Sequence, residues 1–398
     1  MAGWVWVAAA STGRACLGCG KGAWAPRAVM MGPDPSSSSS GDGFDMELLQ
    51  QRMDAVRDSR VADMMRTAAN WRAGRCTQHV LLELDDRVRR VRASNGKLVC
   101  GSFLGSVVLA EIDSGDEVRR WEPARSEDDA EGQHEVTALE FDGEVWAAGD
   151  VSGNIRVHSA SHERCGQAKR AAPISGLCLH EQLLFSTSLD RRLVCWDTAY
   201  MFGAPSASNE QGLQPSGGVN SLAKLNEIGS LLAPTPILCM SSCMGYAALG
   251  LSSGEVLLCT LSPLRTLLRF SASESAVSSI HLVTTSQLVC GSSDGTVRIW
   301  RLDETEESGR RTTSFRGHKA AVVSVVGDTE KIVSGARDGT IRVWDIARGR
   351  LRFMLEGFTA YLGSVQLSPS WLIADGTNNN VVVKLDFSDG GAHGIDED

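Results

Sequence analysis

Residues 315–345 read FRGHKAAVVSVVGDTEKIVSGARDGTIRVWD, and this stretch holds three short apolar runs separated by turn residues. The first run covers residues 321–326, the second covers 331–334, and the third ends on Trp344 and Asp345. An Asp-Gly pair at 338–339 separates the second run from the third and is typical of a tight turn. The spacing predicts three consecutive antiparallel β-strands.

A Gly-His pair at 317–318 precedes the first run. The complete layout, from Gly-His to Trp-Asp, resembles one blade of a WD40 β-propeller. In that arrangement His318, Ser334, Asp338 and Trp344 can form one buried hydrogen-bond chain that joins the lead-in, the second strand, the turn and the third strand. We therefore interpret these four residues as structural rather than as a catalytic His/Ser/Asp set.

The same frame occurs seven times along the chain. Five of the six gaps between successive anchor residues (48, 39, 62, 41, 44 and 41 residues) are close to the ~40–45 residues of a four-stranded blade. The anchors are Gly101, Gly149, Ser188, Gly250, Gly291, Gly335 and Gly376. The sequence thus predicts an all-β, seven-bladed WD40 propeller over residues 71–389. Because the seventh copy ends on its third strand, we expect Cys76–Leu84 to supply the missing outer strand and close the ring.

The flanking segments have different compositions. Residues 1–43 begin with 32 residues that contain no Asp or Glu and end in a Ser-rich linker, which predicts a disordered, presequence-like segment. Residues 23–26, AWAP, resemble the cleavage motif of bipartite plastid presequences, so we expect a plastid location; a functionless extension and a cytoplasmic or nuclear location are the alternatives. Residues 44–70 have helical spacing and are expected to pack on the propeller rim or to contact a partner. We expect disorder in the insertion at 200–233 and a polar tail at 390–398.

Composition excludes several classes of function. A formal net charge of −9 argues against nucleic-acid binding by phosphate neutralisation. No apolar run approaches the ~18 residues of a membrane span. The sequence contains no P-loop. We therefore predict a non-catalytic scaffold that binds a protein or peptide, with no catalytic residue, metal, cofactor or small-molecule substrate.

Three segments resemble the propellers of F-box/WD40 proteins: NWRAG (70–74), RVRASNGKLVCGS (90–102) and VVVKLDF (381–387). The resemblance implies the substrate receptor of a cullin-type ubiquitin ligase, whose top-face arginines hold a phosphorylated peptide. Two positions in each blade match those arginines, one near the start of the first strand and one before the turn Asp. Only Arg89 and Arg337 are arginines there, and no F-box is recognisable in the preceding segment.

The remaining matching positions suggest a different ligand. Blades one to four each carry an apolar residue at one of the two positions, and blades five to seven each carry a polar residue at one or both. Together with Arg89, the candidate partner-binding residues are Phe103, Val151, Leu189, Leu238, Ser278, Ser293, Arg337 and Asn378. We expect this surface to hold a peptide with an apolar anchor on one side and an acidic group on the other. The scaffold and ligase-receptor functions both remain open from the sequence.

Overall fold

The computed structural model describes residues 46–123, 134–160, 164–202, 223–302, 312–359, 362–375 and 380–388. These residues form seven sheets, one per predicted blade, so the predicted seven-bladed propeller is confirmed. Before the first blade come α1 (Met46–Ala73) and β1 (Thr77–Glu83).

The strands follow in chain order, four to a blade except where noted below. Blade one contains β2 (Val88–Ser94), β3 (Lys97–Ser102), β4 (Val107–Glu111) and β5 (Glu117–Trp121). Blade two contains β6 (Val136–Phe141), β7 (Val145–Asp150), β8 (Asn154–Ser159) and β9 (Cys165–Lys169). Blade three contains β10 (Ile174–His180), β11 (Leu183–Ser188) and β12 (Arg192–Asp197), and after a 3-10 turn (Ala199–Phe202) come β13 (Ala223–Lys224) and β14 (Asn226–Leu232).

The remaining blades follow the same plan. Blade four contains β15 (Ile237–Cys243), β16 (Tyr246–Leu251), β17 (Glu255–Leu261) and β18 (Leu264–Ser271). Blade five contains β19 (Val277–Thr284), β20 (Gln287–Ser292), β21 (Val297–Arg301) and β22 (Thr312–Phe315). Blade six contains β23 (Val322–Gly327), β24 (Lys331–Ala336), β25 (Ile341–Asp345) and β26 (Arg350–Leu355), and blade seven contains β27 (Val365–Leu367), β28 (Trp371–Asp375) and β29 (Val381–Asp386).

The recurring glycine reflects the packing of one blade on the next. A Cβ on Gly149 would lie 2.5 Å from Ile174 Cγ2 in the first strand of blade three, and a Cβ on Gly291 would lie 2.5 Å from Val322 Cγ1 in blade six. Gly101 and Gly250 face a β-branched residue of the next blade in the same way. The repeat therefore requires glycine because the neighbouring inner strand occupies the space of a side chain.

Two of the seven predicted anchors are one residue off. In blade three the strand register places Thr187, not Ser188, at the anchor position. Thr187 pairs with Gly176 of the inner strand. The space for the larger side chain comes from that glycine, whose own Cβ would lie 2.8 Å from Thr187 Oγ1. In blade seven Asp375 ends β28 at the equivalent position, and Gly376 lies outside the described residues.

The N-terminal strand closes the ring. β1 pairs antiparallel with β29, from Thr77 opposite Asp386 to Glu83 opposite Val381. The sheet order β1-β29-β28-β27 makes β1 the outer strand of blade seven. This confirms the prediction for Cys76–Leu84 and removes the unpaired edge that β29 would otherwise present.

The prediction of disorder throughout residues 200–233 is wrong for its second part. β14 pairs with β12 as the outer strand of blade three. β13 pairs in parallel with β9 and adds a fifth strand to blade two. Leu225, between these strands, is buried in the core beside blade two, which explains why this polar segment is ordered. Residues 203–222 lie outside the described residues, as do residues 1–45 and the tail at 390–398.

Helix α1 is attached to the propeller by its C-terminal end. Trp71 stacks on Phe387 with ring centroids 3.6 Å apart, and Asn70 Nδ2 donates to the Phe387 carbonyl at 2.9 Å. Gly74 ends the helix with a φ of 66°, as expected for a left-handed C-terminal cap. The expected packing of the helix on the rim is wrong for its middle turns, because Met64 and Met65 are among its exposed apolar side chains.

Candidate interaction surface

Blade six contains the complete chain of buried polar side chains. The Trp344 indole N–H donates to Ser334 Oγ at 2.8 Å, and His318 Nε2 lies 2.8 Å from the same oxygen. His318 Nδ1 lies 3.1 Å from Asp338 Oδ2. Burial lowers the pKa of His318, and the carboxylate of Asp338 offsets only part of that shift. The four residues hold the blade together.

Blade three uses an arginine for the same purpose, which the sequence analysis missed. Arg170 donates to Ser186 Oγ at 2.9 Å and to Asp190 Oδ1 at 2.8 Å, and the Trp196 indole N–H donates to Ser186 Oγ at 2.8 Å. Arg170 precedes Ser186 by 16 residues, the same separation as His318 from Ser334. Spacing alone could therefore have identified Arg170, but the motif search required a Gly-His pair.

A regular series of backbone hydrogen bonds defines one face of the ring. In six blades the residue before the turn between the second and third strands donates its N–H to a carbonyl just before the first strand, at 2.8–3.2 Å. The donors are Phe103, Val151, Leu189, Ser252, Ser293 and Arg337, and the acceptors are Arg87, Glu135, Pro173, Pro236, Ala276 and Ala321. We call the side of the ring that carries these turns and strand starts the top face. The two sets of predicted partner-binding positions therefore lie on the same face.

The apolar candidates occupy neighbouring blades of the top face. Leu189 is 41% exposed, whereas Phe103, Val151 and Leu238 are half-buried. The Arg87 guanidinium lies 4.8 Å from the centroid of the Phe103 ring. Blades one to four thus present an apolar arc, defined as these four residues.

The polar candidates differ in their availability. Arg337 and Ser293 are exposed. Ser278 donates its hydroxyl to the Val322 carbonyl of the next blade at 2.6 Å, so it helps to join blades five and six. Arg89 forms an ion pair with Glu135, and its side chain is 24% exposed. Asn378 lies outside the described residues.

The two arginines that match the F-box/WD40 positions therefore differ in ion pairing and in exposure. A phosphate requires clustered cationic donors, but the charge of Arg89 is balanced by Glu135 and only Arg337 is exposed. At the candidate positions the surface therefore has four apolar side chains but one exposed cation, Arg337.

A buried carboxylate lies at the seam between blades seven and one. Asp375 is 1% exposed and accepts hydrogen bonds from the N–H groups of Gly363 and Ser364 at 3.0 Å. Burial raises the pKa of Asp375 to about 7, although these N–H groups and the Arg90 charge act in the opposite direction. This residue stands at the position that a glycine occupies in five of the other six blades.

Other types of site were not found among the described residues. No group of three or more His, Cys, Asp or Glu side chains is placed to hold a metal ion there. No helix in the same ranges is long and apolar enough to cross a membrane.

Comparisons with known proteins agree with the fold. The family described as "WD domain, G-beta repeat" matches residues 262–301 and 309–345. The first match holds the outer strand of blade four and the first three strands of blade five, and the second holds the outer strand of blade five and the first three strands of blade six. A structure of U3-55K is similar at 17% identity, with a TM-score of 0.59, and the alignment covers 78% of this chain and 98% of that chain. The computationally designed Ika8 protein is similar at 17% identity, with a TM-score of 0.53, over 76% of this chain and 98% of that chain. No curated protein sequence matches the chain. At this identity the structural likenesses show the fold alone.

Proposed function

We propose that the top face of this WD40-repeat β-propeller protein holds a peptide or protein partner. The chain would then act as a non-catalytic scaffold. Propellers of this type are generally interaction scaffolds, and nothing in the chain points to enzymatic activity. The fold by itself does not select the partner. The chemistry of the exposed face must supply that information.

The observation that carries the proposal is the apolar arc of Phe103, Val151, Leu189 and Leu238. Phe103, Val151 and Leu189 stand before the turn on three consecutive blades, where the backbone bonds of the turns fix their spacing. Leu238 stands at the start of the first strand of blade four. Buried apolar anchors contribute most of the affinity in such contacts. Arg337, on the other side of the ring, would orient an acidic group of the partner.

The test compares two leucines of equal exposure. Leu189 is 41% exposed on the top face and Leu267 is 43% exposed on the outer strand of blade four. Partners captured by the tagged full chain would be identified by mass spectrometry and quantified against Leu189→Ala, Leu267→Ala and the double variant Phe103→Ala/Leu238→Ala. We expect the top-face variants to lose the partner and Leu267→Ala to retain it. Equal capture by all variants would contradict the proposal.

For the location of the protein we propose plastid import, supported by the acid-free start of the sequence. Residues 1–43 lie outside the described residues, so this proposal depends on the sequence alone. A fluorescent fusion of the full chain should enter plastids, whereas one that starts at Gly41 should remain in the cytosol or nucleus. The same location for both fusions would exclude a targeting role.

A further inference from the structure

A cavity of about 400 Å3 lies at blade two, and its lining includes Asp150 and His134, which border the top face beside Val151 and Glu135. Its lining includes three cationic side chains, Arg156, Lys169 and Lys224, and one carboxylate, Asp150. Three positive charges against one negative charge make the lining cationic, whereas the whole chain has a net charge of −9. This local reversal of charge indicates an anionic ligand.

The strand register directs the three cations to the same side of the sheet. Arg156 pairs with Gln167, and Gln167 pairs with Lys224, so these residues form one row across β8, β9 and β13. Lys169 pairs with Asn154 in the row two residues away. Paired residues on adjacent strands share a face, as do residues two apart on one strand. Adjacent strands are about 4.8 Å apart, so the backbones of Arg156 and Lys224 are about 10 Å apart, with the cavity between their side chains.

The extra strand of blade two is what brings the third cation to the cavity. β13 contains only Ala223 and Lys224, and its pairing with β9 is continued by a hydrogen bond from Leu225 N to the Gln167 carbonyl at 2.8 Å. The Leu225 side chain is buried and anchors the strand. The other six sheets have four strands each, so this arrangement is specific to blade two.

The cations are held in place by neutral oxygens. Arg156 Nη2 donates to the Gly105 carbonyl at 2.6 Å. Lys169 Nζ donates to the Ser152 carbonyl and to Asn154 Oδ1, both at 2.7 Å. Neutral acceptors position a cation without neutralising its charge. The carboxylates that act on Arg156 are those of Asp150 and Glu122, and they offset only part of the effect of burial on its pKa. Burial also lowers the pKa of Arg156, so an anion that enters the cavity would stabilise the guanidinium it meets.

The single carboxylate is already engaged. Asp150 accepts hydrogen bonds from Asn154 N at 2.8 Å and from Asn154 Nδ2 at 2.7 Å. Those bonds hold the Asp150 carboxylate at the turn that precedes β8. Asp150 and Glu122 both act on Arg156, and the two lysines leave the site with a net positive charge.

We propose that this cavity binds an anionic side chain of a protein partner, either a carboxylate or a phosphoryl group. The inference is independent of the proposed function of the top face. A second contact of this kind at blade two would select partners that carry an acidic segment.

The test uses three labelled peptide probes of equal length: hexaglutamate, a peptide that alternates phosphoserine with alanine, and the same peptide with unmodified serine. Binding to the full chain would be measured by fluorescence anisotropy at low and high salt. We expect at least one anionic probe to bind and the serine peptide not to bind, and the affinity to fall as salt rises. The stronger of the two anionic probes identifies the source of the negative charge. Failure of both, or equal binding of the serine peptide, would overturn the proposal.

The variants locate the binding. Lys169→Gln/Lys224→Gln removes two exposed cations of the cavity and should weaken binding by about tenfold or more, as expected for the loss of charge-assisted contacts. Lys319→Gln is the matched control, because Lys319 is an exposed lysine of blade six outside the cavity. Equal affinities for the double variant and the control would overturn the proposal. Leu189→Ala should leave probe binding unchanged, which separates this site from the top face.

Discussion

The arginine of blade three offers a direct measure of what the buried polar chain contributes to stability. Replacing Arg170 by Ala removes hydrogen bonds to Ser186 and Asp190 and leaves the carboxylate of Asp190, which is 19% exposed, without its cation. Breaking a buried ion pair from one side costs about 3–5 kcal/mol. For a domain of this size that corresponds to a fall in Tm of roughly 4–8 °C.

The matched control lies on the same blade. Arg192 also contacts a carboxylate, Glu227, at 2.6 Å, but its side chain is 43% exposed, whereas that of Arg170 is 3% exposed. An exposed pair contributes about 0–1 kcal/mol, so Arg192→Ala should change the free energy of unfolding little. Both variants would be compared with the natural chain by urea titration at pH 7.

A double-variant cycle then isolates the interaction. If Arg170 and Asp190 act as a pair, the variant Arg170→Ala/Asp190→Ala should be less destabilised than the sum of the two single changes. Equal losses from Arg170→Ala and Arg192→Ala, or full additivity in the cycle, would refute the interpretation of Arg170 as the counterpart of His318.

Further predictions concern the blade seams, the titratable groups and the helix anchor. Burial holds the pKa of Asp375 at about 7 against an ordinary value of 3.8, so the folded chain binds the proton more strongly and this group's contribution to stability falls as pH rises from about 4 to 7. The free energy of unfolding of the natural chain, relative to that of Asp375→Asn, should fall by about 4 kcal/mol over that range. A difference between the two that stays constant with pH in urea titrations would exclude this effect of Asp375. The pKa of His318 is lowered by burial, so its contribution is present above the ordinary pKa of about 6.5 and is lost as pH falls below it; His318→Gln should flatten that part of the pH profile. Gly291→Ala would place a Cβ 2.5 Å from Val322 Cγ1, whereas Gly229→Ala meets nothing within 4 Å, so thermal melts should show a loss of ~2 kcal/mol or more for the first and no loss for the second. Trp71→Ala removes the stacking on Phe387 and should lower stability by about 3–5 kcal/mol, whereas Met64→Ala, on the exposed part of the helix, should not.

The fold could be predicted from the sequence because its determinants are local. A strand pair and a turn recur within each blade, an anchor glycine recurs in five of the seven, and each depends on residues a few positions apart. The closing strand was also predictable, since a seventh blade that ended on its third strand required another strand from outside the repeats. The two wrong anchor assignments occurred in blades that have a residue other than glycine at the anchor position. Thr187 opposite Gly176 and Asp375 in place of a glycine depend on contacts across the sheet or the blade seam, and no single strand reveals those contacts.

The candidate sites were less predictable than the fold. The positions of the top face follow from the repeat, but the ion pair of Arg89 with Glu135 joins residues that are far apart in sequence. The fifth strand of blade two could not be predicted, because a segment of two residues carries no periodic signal. The exposure of Met64 and Met65 was likewise missed, since helical spacing identifies the helix but not whether another element covers it.

The closure of the ring by β1 is tested most directly by hydrogen exchange on two chains, one that starts at Met46 and one that starts at Asp85. In the longer chain the amides of Val381–Asp386 should exchange slowly, because β29 is paired on both sides. In the shorter chain those amides should lose their protection, while β24 in the middle of blade six should keep more of its own. Protection of Val381–Asp386 that does not depend on residues 77–83 would contradict the closed seven-bladed ring.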